Sequence, residues 1–335
     1  MSSKAVPAQS GTDVQDRALA INLLLALRPG QWTKNLVVFA GLIFGQKLLI
    51  PADVATAAAA FGLFCVLSGV VYLVNDIQDR DADRHHPQKS RRPIASGALA
   101  PATAGTAAAI LAAGALTGAY VLDRGFFAVG LTYLVLLVAY SVWLKHGAIL
   151  DVLSIALGFV LRAYAGAVVL DVPFSHWLLV LTLLGALFLA LGKRRAELQA
   201  LGETAGRHRP SLQAYTVPLL DQMLSVVMAC TLLAYAFYTI SPETVAKFGT
   251  DHLLFTLPLP IYGLFRYLHL IHRGDGHGNP SDLLLSDRAL QASILLRRRR
   301  SSGRVLTIGL AVVDVLVLPF GTALGAYALW VLLHN

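Results

Sequence analysis

The most chemically loaded stretch of the sequence is Asn75-Asp76-x-x-Asp79-x-x-x-Asp83. At about 100° per residue, a helix places Asn75, Asp76, Asp79 and Asp83 near 0°, 100°, 40° and 80°, inside one arc of about 100°. Three carboxylates and an amide then share a face. Arg80 and Arg84 project outside that arc, so nothing on the same helix neutralises the acids, and their mutual repulsion calls for a cation from elsewhere. Hard oxygen donors suit Mg²⁺, which binds through one or two carboxylates, retained waters and substrate phosphate oxygens. The spacing therefore predicts a magnesium site on Asn75, Asp76, Asp79 and Asp83, and a phosphorylated substrate. The alternative is an acidic, solvated helix end, but an Asp beside an apolar span is costly enough to need a reason.

The next loop, Lys89-Ser90-Arg91-Arg92-Pro93-Ile94-Ala95-Ser96-Gly97, supplies counter-charge. Guanidinium groups match phosphate oxygens bidentately, so Lys89, Arg91 and Arg92 are candidate phosphate ligands for anything held by the aspartates. Taken without the aspartates, the same cations fit the basic flank of a membrane span equally well.

The elements that must carry these groups are membrane helices. Of 335 residues, 56% are hydrophobic and 14% charged, and the mean hydropathy is +0.64, outside the range of an ordinary soluble domain. A span needs about 20 apolar residues. Nine windows qualify, near 34–50, 54–75, 100–122, 126–144, 148–171, 176–192, 217–240, 252–271 and 305–333, the first being the weakest. A β-barrel would show short alternating segments, whereas Leu178 to Ala190 is apolar all round. The expected fold is all-α and polytopic, with residues 1–20 a loose polar tail and 21–335 a single integral-membrane domain. Cys65 and Cys230 each fall inside a window and lack the spacing of a disulfide framework or a zinc site.

The formal charge of +8 is unevenly placed. With the N-terminus in the cytoplasm of a cell-membrane protein, the stretches 76–99, the Lys145 turn, 193–216 and 272–304 lie inside and hold most of the Lys and Arg, while the outer turns carry Lys47, Arg124 and Lys247. Membrane orientation accounts for this excess, and no aromatic-interleaved basic module points to nucleic acid.

At the cytoplasmic end of the second window, the Asn75-Asp76-x-x-Asp79-x-x-x-Asp83 pattern followed by Arg92-Pro93 resembles the first signature of the UbiA prenyltransferase superfamily. The resemblance implies a bundle of about nine transmembrane helices around a lipid-open cavity. Narrower stretches resemble the branch that transfers phosphoribosyl groups to decaprenyl phosphate in cell-wall arabinan precursor synthesis. They are Arg28-Pro29-x-Gln31-Trp32-x-Lys34-Asn35, Tyr72-Leu73-Val74-Asn75-Asp76, Leu150-Asp151-Val152, Gly158-Phe159-Val160-Leu161-Arg162-Ala163, Gly192-Lys193-Arg194-x-Ala196-Glu197 and His272-Arg273-Gly274-Asp275-Gly276.

The chain departs from most of the superfamily after the sixth window, where an Asp-x-x-x-Asp motif is replaced by Lys193, Arg194 and Glu197 on one helix face. Phosphoribosyl pyrophosphate carries a 5-phosphate besides its diphosphate, and a polyprenyl phosphate acceptor is itself anionic. Extra anions need extra cations. Lys193 and Arg194 also fit the inner flank of a span. Arg162, eleven residues past Asp151, lies about 16 Å deep at 1.5 Å per residue. Such a residue faces a cavity or pairs internally, as a phosphate contact or as the partner of an acid such as Asp314. The glycine-rich loop after His272 reads as a substrate-gating segment, and its histidines match no zinc spacing. Asp221 either joins the cavity or caps its helix.

The resemblance and the side-chain chemistry together imply a Mg²⁺-dependent transferase in which Asp76, Asp79 and Asp83 are the catalytic metal ligands. Lys34, Asn75, Lys89, Arg91, Arg92, Lys145, Asp151, Arg162, Lys193, Arg194, Glu197, Arg273 and Asp275 line the substrate site. The implied donor is phosphoribosyl pyrophosphate and the acceptor decaprenyl or another polyprenyl phosphate. Two rivals remain at this stage: a prenyltransferase using a polyprenyl diphosphate donor and an aromatic acceptor, and a lipid-phosphate transporter.

Overall fold

A computed structural model of the chain describes residues 11–202, 210–249 and 252–272. Every regular element among them is helical. In chain order they are α1 (Gly11–Ala26), a 3-10 segment (Pro29–Phe39), α2 (Ala40–Phe44), α3 (Pro51–Gln78), α4 (Arg80–Arg84), α5 (Pro101–Leu122), α6 (Arg124–Val142), α7 (Leu150–Val169), α8 (His176–Leu201), α9 (Val217–Ile240), α10 (Pro242–Phe248) and α11 (Pro258–His272). Short 3-10 turns at Lys89–Arg91, Leu144–His146, Pro210–Ala214 and His252–Thr256 join them.

Helix starts follow local chemistry. Pro51 and Pro101 open α3 and α5, where a missing N–H is harmless. Asp123 caps α6 by accepting the Phe126 N–H at 2.6 Å, and Thr216 caps α9 through the Leu219 N–H at 3.2 Å.

Among the described residues, seven stretches are long and apolar enough to cross a membrane: α3, α5, α6, α7, α8, α9 and His252–His272. They correspond to seven of the nine expected windows. The window at 305–333 lies outside the described residues. The window at 34–50 does not form a span-length helix. Its residues 34–44 divide between the 3-10 segment and α2 and are packed in protein, with Val37, Val38, Ala40 and Leu42 at most 2% exposed, whereas Leu49 and Ile50 beyond α2 are exposed. Backbone contact explains this burial. A Cβ on Gly166 of α7 would stand 1.8 Å from the Val38 carbonyl oxygen, and one on Gly41 would stand 2.3 Å from the Gly166 oxygen. Hydropathy cannot distinguish a lipid-facing helix from a segment folded inward against one. Helix α1 also begins at Gly11, within the stretch expected to be a loose tail.

The core has two main parts. Phe64 and Leu67 of α3 interlock with Phe126 and Tyr133 of α6 and with Ala165 of α7, and Ala115 and Ala119 of α5 let that helix approach closely. Phe188, Tyr235, Leu264 and Tyr267 interlock α8, α9 and α11. Because successive spans run in opposite directions, the end of α3, the α6–α7 turn, the end of α8, the start of α9 and the end of α11 gather at one end of the bundle. Among the described residues, the Asp motif, Lys89, Arg92, Lys145, Asp151, Lys193, Arg194 and Glu197 lie at that end, whereas Arg162 lies midway along α7.

Candidate active site

The Asp motif straddles a helix break. Helix α3 ends at Gln78, Asp79 leaves helical geometry with ψ near 5°, and α4 restarts at Arg80. The i→i+4 bonds Asp79 N–H to Asn75 carbonyl (2.9 Å) and Asp83 N–H to Asp79 carbonyl (2.8 Å) carry helical spacing across the break. The expected single face therefore survives. Asp76 and Asp83 are buried, at 2% and 3% exposed.

The cations that the wheel geometry demanded arrive from three other segments. Arg28, at the start of the 3-10 segment, donates from Nη2 to Asp76 Oδ1 and lies over the Tyr72 ring, 4.8 Å from its centroid. Arg92 Nη1 reaches Asp76 Oδ1 at 3.1 Å and Asp83 Oδ2 at 2.5 Å. Lys145 Nζ donates to Asp79 Oδ1 at 2.5 Å, while the Asn75 amide donates to the other Asp79 oxygen at 3.0 Å. Lys89 Nζ stands 3.9 Å from Asp83. Asp76, Asp79 and Asp83 are thus each matched by at least one close cation. Nothing in the spacing around Arg28 points to Asp76 as its partner. Its left-handed backbone (φ 53°, ψ 66°), which turns the chain into the 3-10 segment, leaves no mark in composition.

One guanidinium nitrogen touching both Asp76 and Asp83 shows that two carboxylates converge on a point already suited to a positive charge. Among the described residues, no three His, Cys, Asp or Glu side chains form a metal cage by themselves. Asp76, Asp83 and Asp79 present hard oxygen donors, the type a divalent cation takes together with water and phosphate oxygens.

The second cluster has a different character. Arg194 is 1% exposed and Asp151 is fully buried. Arg194 Nε bonds Asp151 Oδ2 at 2.8 Å and Nη1 bonds Glu197 at 2.7 Å. Ser211 and Tyr215 donate to Asp151 at 3.1 and 2.8 Å. This buried, fully bonded pair ties α7 to α8 and to the Pro210–Ala214 turn. Lys193 is the more open of the two cations, with its ammonium 4.0 Å from Glu197. Arg195, which the sequence reading left out, bonds Asp221 at 2.5 Å and the Ile271 carbonyl at 3.2 Å, joining α8 to α9 and α11.

Arg162 is buried on α7, bonding Asn35 Oδ1 at 2.8 Å and the Tyr133 hydroxyl at 2.7 Å, with its guanidinium 4.8 and 5.0 Å from the Tyr133 and Phe159 ring centroids. Asn35 in turn donates to Ser68 at 3.0 Å. Among the described residues Arg162 is thus held by neutral groups and π faces rather than by a carboxylate. Lys34 is half-buried on the 3-10 segment and Arg91 is exposed at the Lys89–Arg91 turn. Arg273, Asp275 and Asp314 lie outside the described residues.

A helical membrane bundle with a cation-matched Asp motif at one end defines the class, and the sequence agrees: residues 35–284 match the UbiA prenyltransferase family. The chain belongs to that family and is a multi-pass membrane protein. It is 34% identical over 306 residues to the decaprenyl-phosphate phosphoribosyltransferase of Mycolicibacterium smegmatis, covering 88% of this chain and 94% of the relative. It is also 34% identical over 290 residues to the protein of the same name from Corynebacterium glutamicum, covering 83% of this chain and 84% of the relative. The solved structure of a UbiA homolog from Archaeoglobus fulgidus bound to DMAPP and Mg²⁺ superposes with a TM-score of 0.62 at 19% identity, covering 94% of this chain and 100% of the other. That likeness shows the shared fold.

Proposed function

We propose that this protein transfers the 5-phosphoribosyl group of phosphoribosyl pyrophosphate to decaprenyl phosphate, releasing diphosphate, at the cytoplasmic face of the cell membrane in arabinan precursor synthesis. The observation that carries this reading is the near full-length similarity to the phosphoribosyltransferases of M. smegmatis and C. glutamicum. The charge arrangement supports it.

Asp76, Asp79 and Asp83, with Asn75 orienting Asp79, would hold the magnesium ion. Magnesium, when bound, supplies Lewis-acid neutralisation of the departing diphosphate. Arg28, Arg92 and Lys145, which stand on these carboxylates, would meet phosphate oxygens of the donor, with Lys89, Arg91, Lys34 and Lys193 as further phosphate contacts. An oxygen of the acceptor phosphate attacks ribose C1, and the bond from C1 to the diphosphate oxygen breaks with its electron pair leaving on the diphosphate. Charge build-up on the ribose ring gives the transition state oxocarbenium character, as in other glycosyl chemistry. The acceptor is already anionic, so no general base is needed, and preorganised cations carry the catalytic burden. Arg194, Asp151 and Glu197 shape the second half of the site as a rigid bonded unit. Arg273 and Asp275, outside the described residues, complete the set of residues assigned to the donor.

The discriminating experiment presents purified protein with two donor and acceptor pairs: phosphoribosyl pyrophosphate with decaprenyl phosphate, and a polyprenyl diphosphate with 4-hydroxybenzoate. Turnover of the first pair alone supports the proposal. Turnover of the second alone replaces it with an aromatic prenyltransferase.

A further inference from the structure

The α6–α7 connection that carries Lys145 contains a backbone outlier. Ile149 has φ 69° and ψ −48°, and the Leu150 N–H bonds the Ala148 carbonyl two residues back at 2.8 Å. Those values describe a γ-turn of the positive-φ kind, which is rare and strained, and a β-branched residue is poorly suited to it. Ile149 is 57% exposed, so side-chain packing does not force it there.

Besides the backbone bonds Asp151 N–H to Gly147 carbonyl (3.1 Å) and Leu153 N–H to Ile149 carbonyl (2.9 Å), one side-chain hydroxyl braces the turn. Tyr215 accepts the Ile149 N–H at 2.7 Å and donates to Asp151 Oδ1 at 2.8 Å. Tyr215 is 4% exposed, and burial pushes its hydroxyl up to about 12, so it stays protonated at physiological pH. Asp151 is anchored in turn by Arg194. The Leu144–His146 and Pro210–Ala214 turns also pack on each other. Four residues before Ile149, Lys145 reaches Asp79.

We propose that Tyr215 is a positioning residue for the metal and diphosphate site, clamping the strained turn at Ile149 so that Lys145 is fixed against Asp79. This role rests on the function proposed above, and it couples the buried Asp151–Arg194 pair to the Asp motif without either reaching the other. Strained backbone persists where the surrounding structure over-determines it, and such places cluster at functional sites. Without the hydroxyl the turn relaxes toward negative φ and carries Lys145 with it.

The test measures binding of inorganic pyrophosphate to the full-length protein at saturating Mg²⁺ by titration calorimetry, beside thermal unfolding in detergent. Tyr215→Phe is expected to weaken pyrophosphate binding about tenfold, the scale of one charge-assisted contact. Adding Ile149→Gly, which adopts positive φ without strain, should restore binding to within about threefold of wild type. A folded Tyr215→Phe protein that binds pyrophosphate as wild type does, or a double variant with no recovery, overturns the proposal. If Tyr215→Phe fails to accumulate, Ile149→Gly alone decides: a raised unfolding temperature supports stored strain, and an unchanged or lowered one overturns it. Pyrophosphate behaving as expected in a protein that transfers no phosphoribosyl group would remove the proposed function and leave the positioning role. Phosphoribosyl transfer without the Tyr215 effect would do the reverse.

Discussion

Lys145 and Asp79 meet at 2.5 Å across 66 residues of sequence. That contact pins the α6–α7 turn to the broken end of α3, and with Arg28 on Asp76 and Arg92 on both Asp76 and Asp83 it makes the acidic face electrically balanced. In the proposed reaction a divalent cation and a diphosphate would bind by exchange, each taking the partner that the other gives up.

Replacing the lysine tests that exchange. Lys145→Ala should raise the KM for phosphoribosyl pyrophosphate by about ten- to a hundredfold, the scale of a lost charge-assisted hydrogen bond. Steady-state kinetics at saturating acceptor measures it. An unchanged KM would remove Lys145 from the donor site.

The carboxylates themselves are less forgiving. Asp83→Ala or Asp79→Ala should abolish Mg²⁺-dependent turnover while the protein still accumulates in membranes, because the donors for the metal are gone but the spans are intact. Activity assays on membranes with matched protein levels check this, and normal turnover in either variant would refute the metal assignment.

The Asp151–Arg194 pair should behave as structure. Asp151→Asn leaves a buried guanidinium short of a carboxylate, a change expected to destabilise the fold by about 3–5 kcal/mol. Thermal unfolding in detergent should show a clear fall in midpoint. A midpoint equal to wild type would mean that the pair is not a structural tie, and would return Arg194 to the list of direct phosphate contacts.

Close backbone packing gives a prediction independent of charge. Gly166→Ala places a methyl group 1.8 Å from the Val38 carbonyl oxygen, so α7 and the 3-10 segment must separate, at about 1–3 kcal/mol for overpacking of this kind. Gly62→Ala on α3 meets nothing within 4 Å and should be close to neutral. Unfolding midpoints that fail to separate these two variants would contradict the packing described.

The Asp motif was legible because its information is local: three acids at helical spacing beside an apolar span announce a face and a need for cations. Which cations answer was not legible. Arg28 and Lys145 lie 48 and 66 residues from their partners, and only tertiary structure brings them in. The same limit applies to Arg194, which stands in a basic run of the sequence and is paired with Asp151 and Glu197 inside the bundle. Hydropathy marked 34–50 as a span because burial in protein and burial in lipid select the same residues. Tyr215 carried no signal, since its importance lies in the backbone of Ile149.

The most direct test of the central claim is to incubate purified protein with decaprenyl phosphate, radiolabelled phosphoribosyl pyrophosphate and Mg²⁺, with an EDTA control, and to follow label into the lipid phase. The account predicts lipid labelling that EDTA abolishes and added Mg²⁺ restores. Absence of lipid label with fresh donor and active lipid would contradict it.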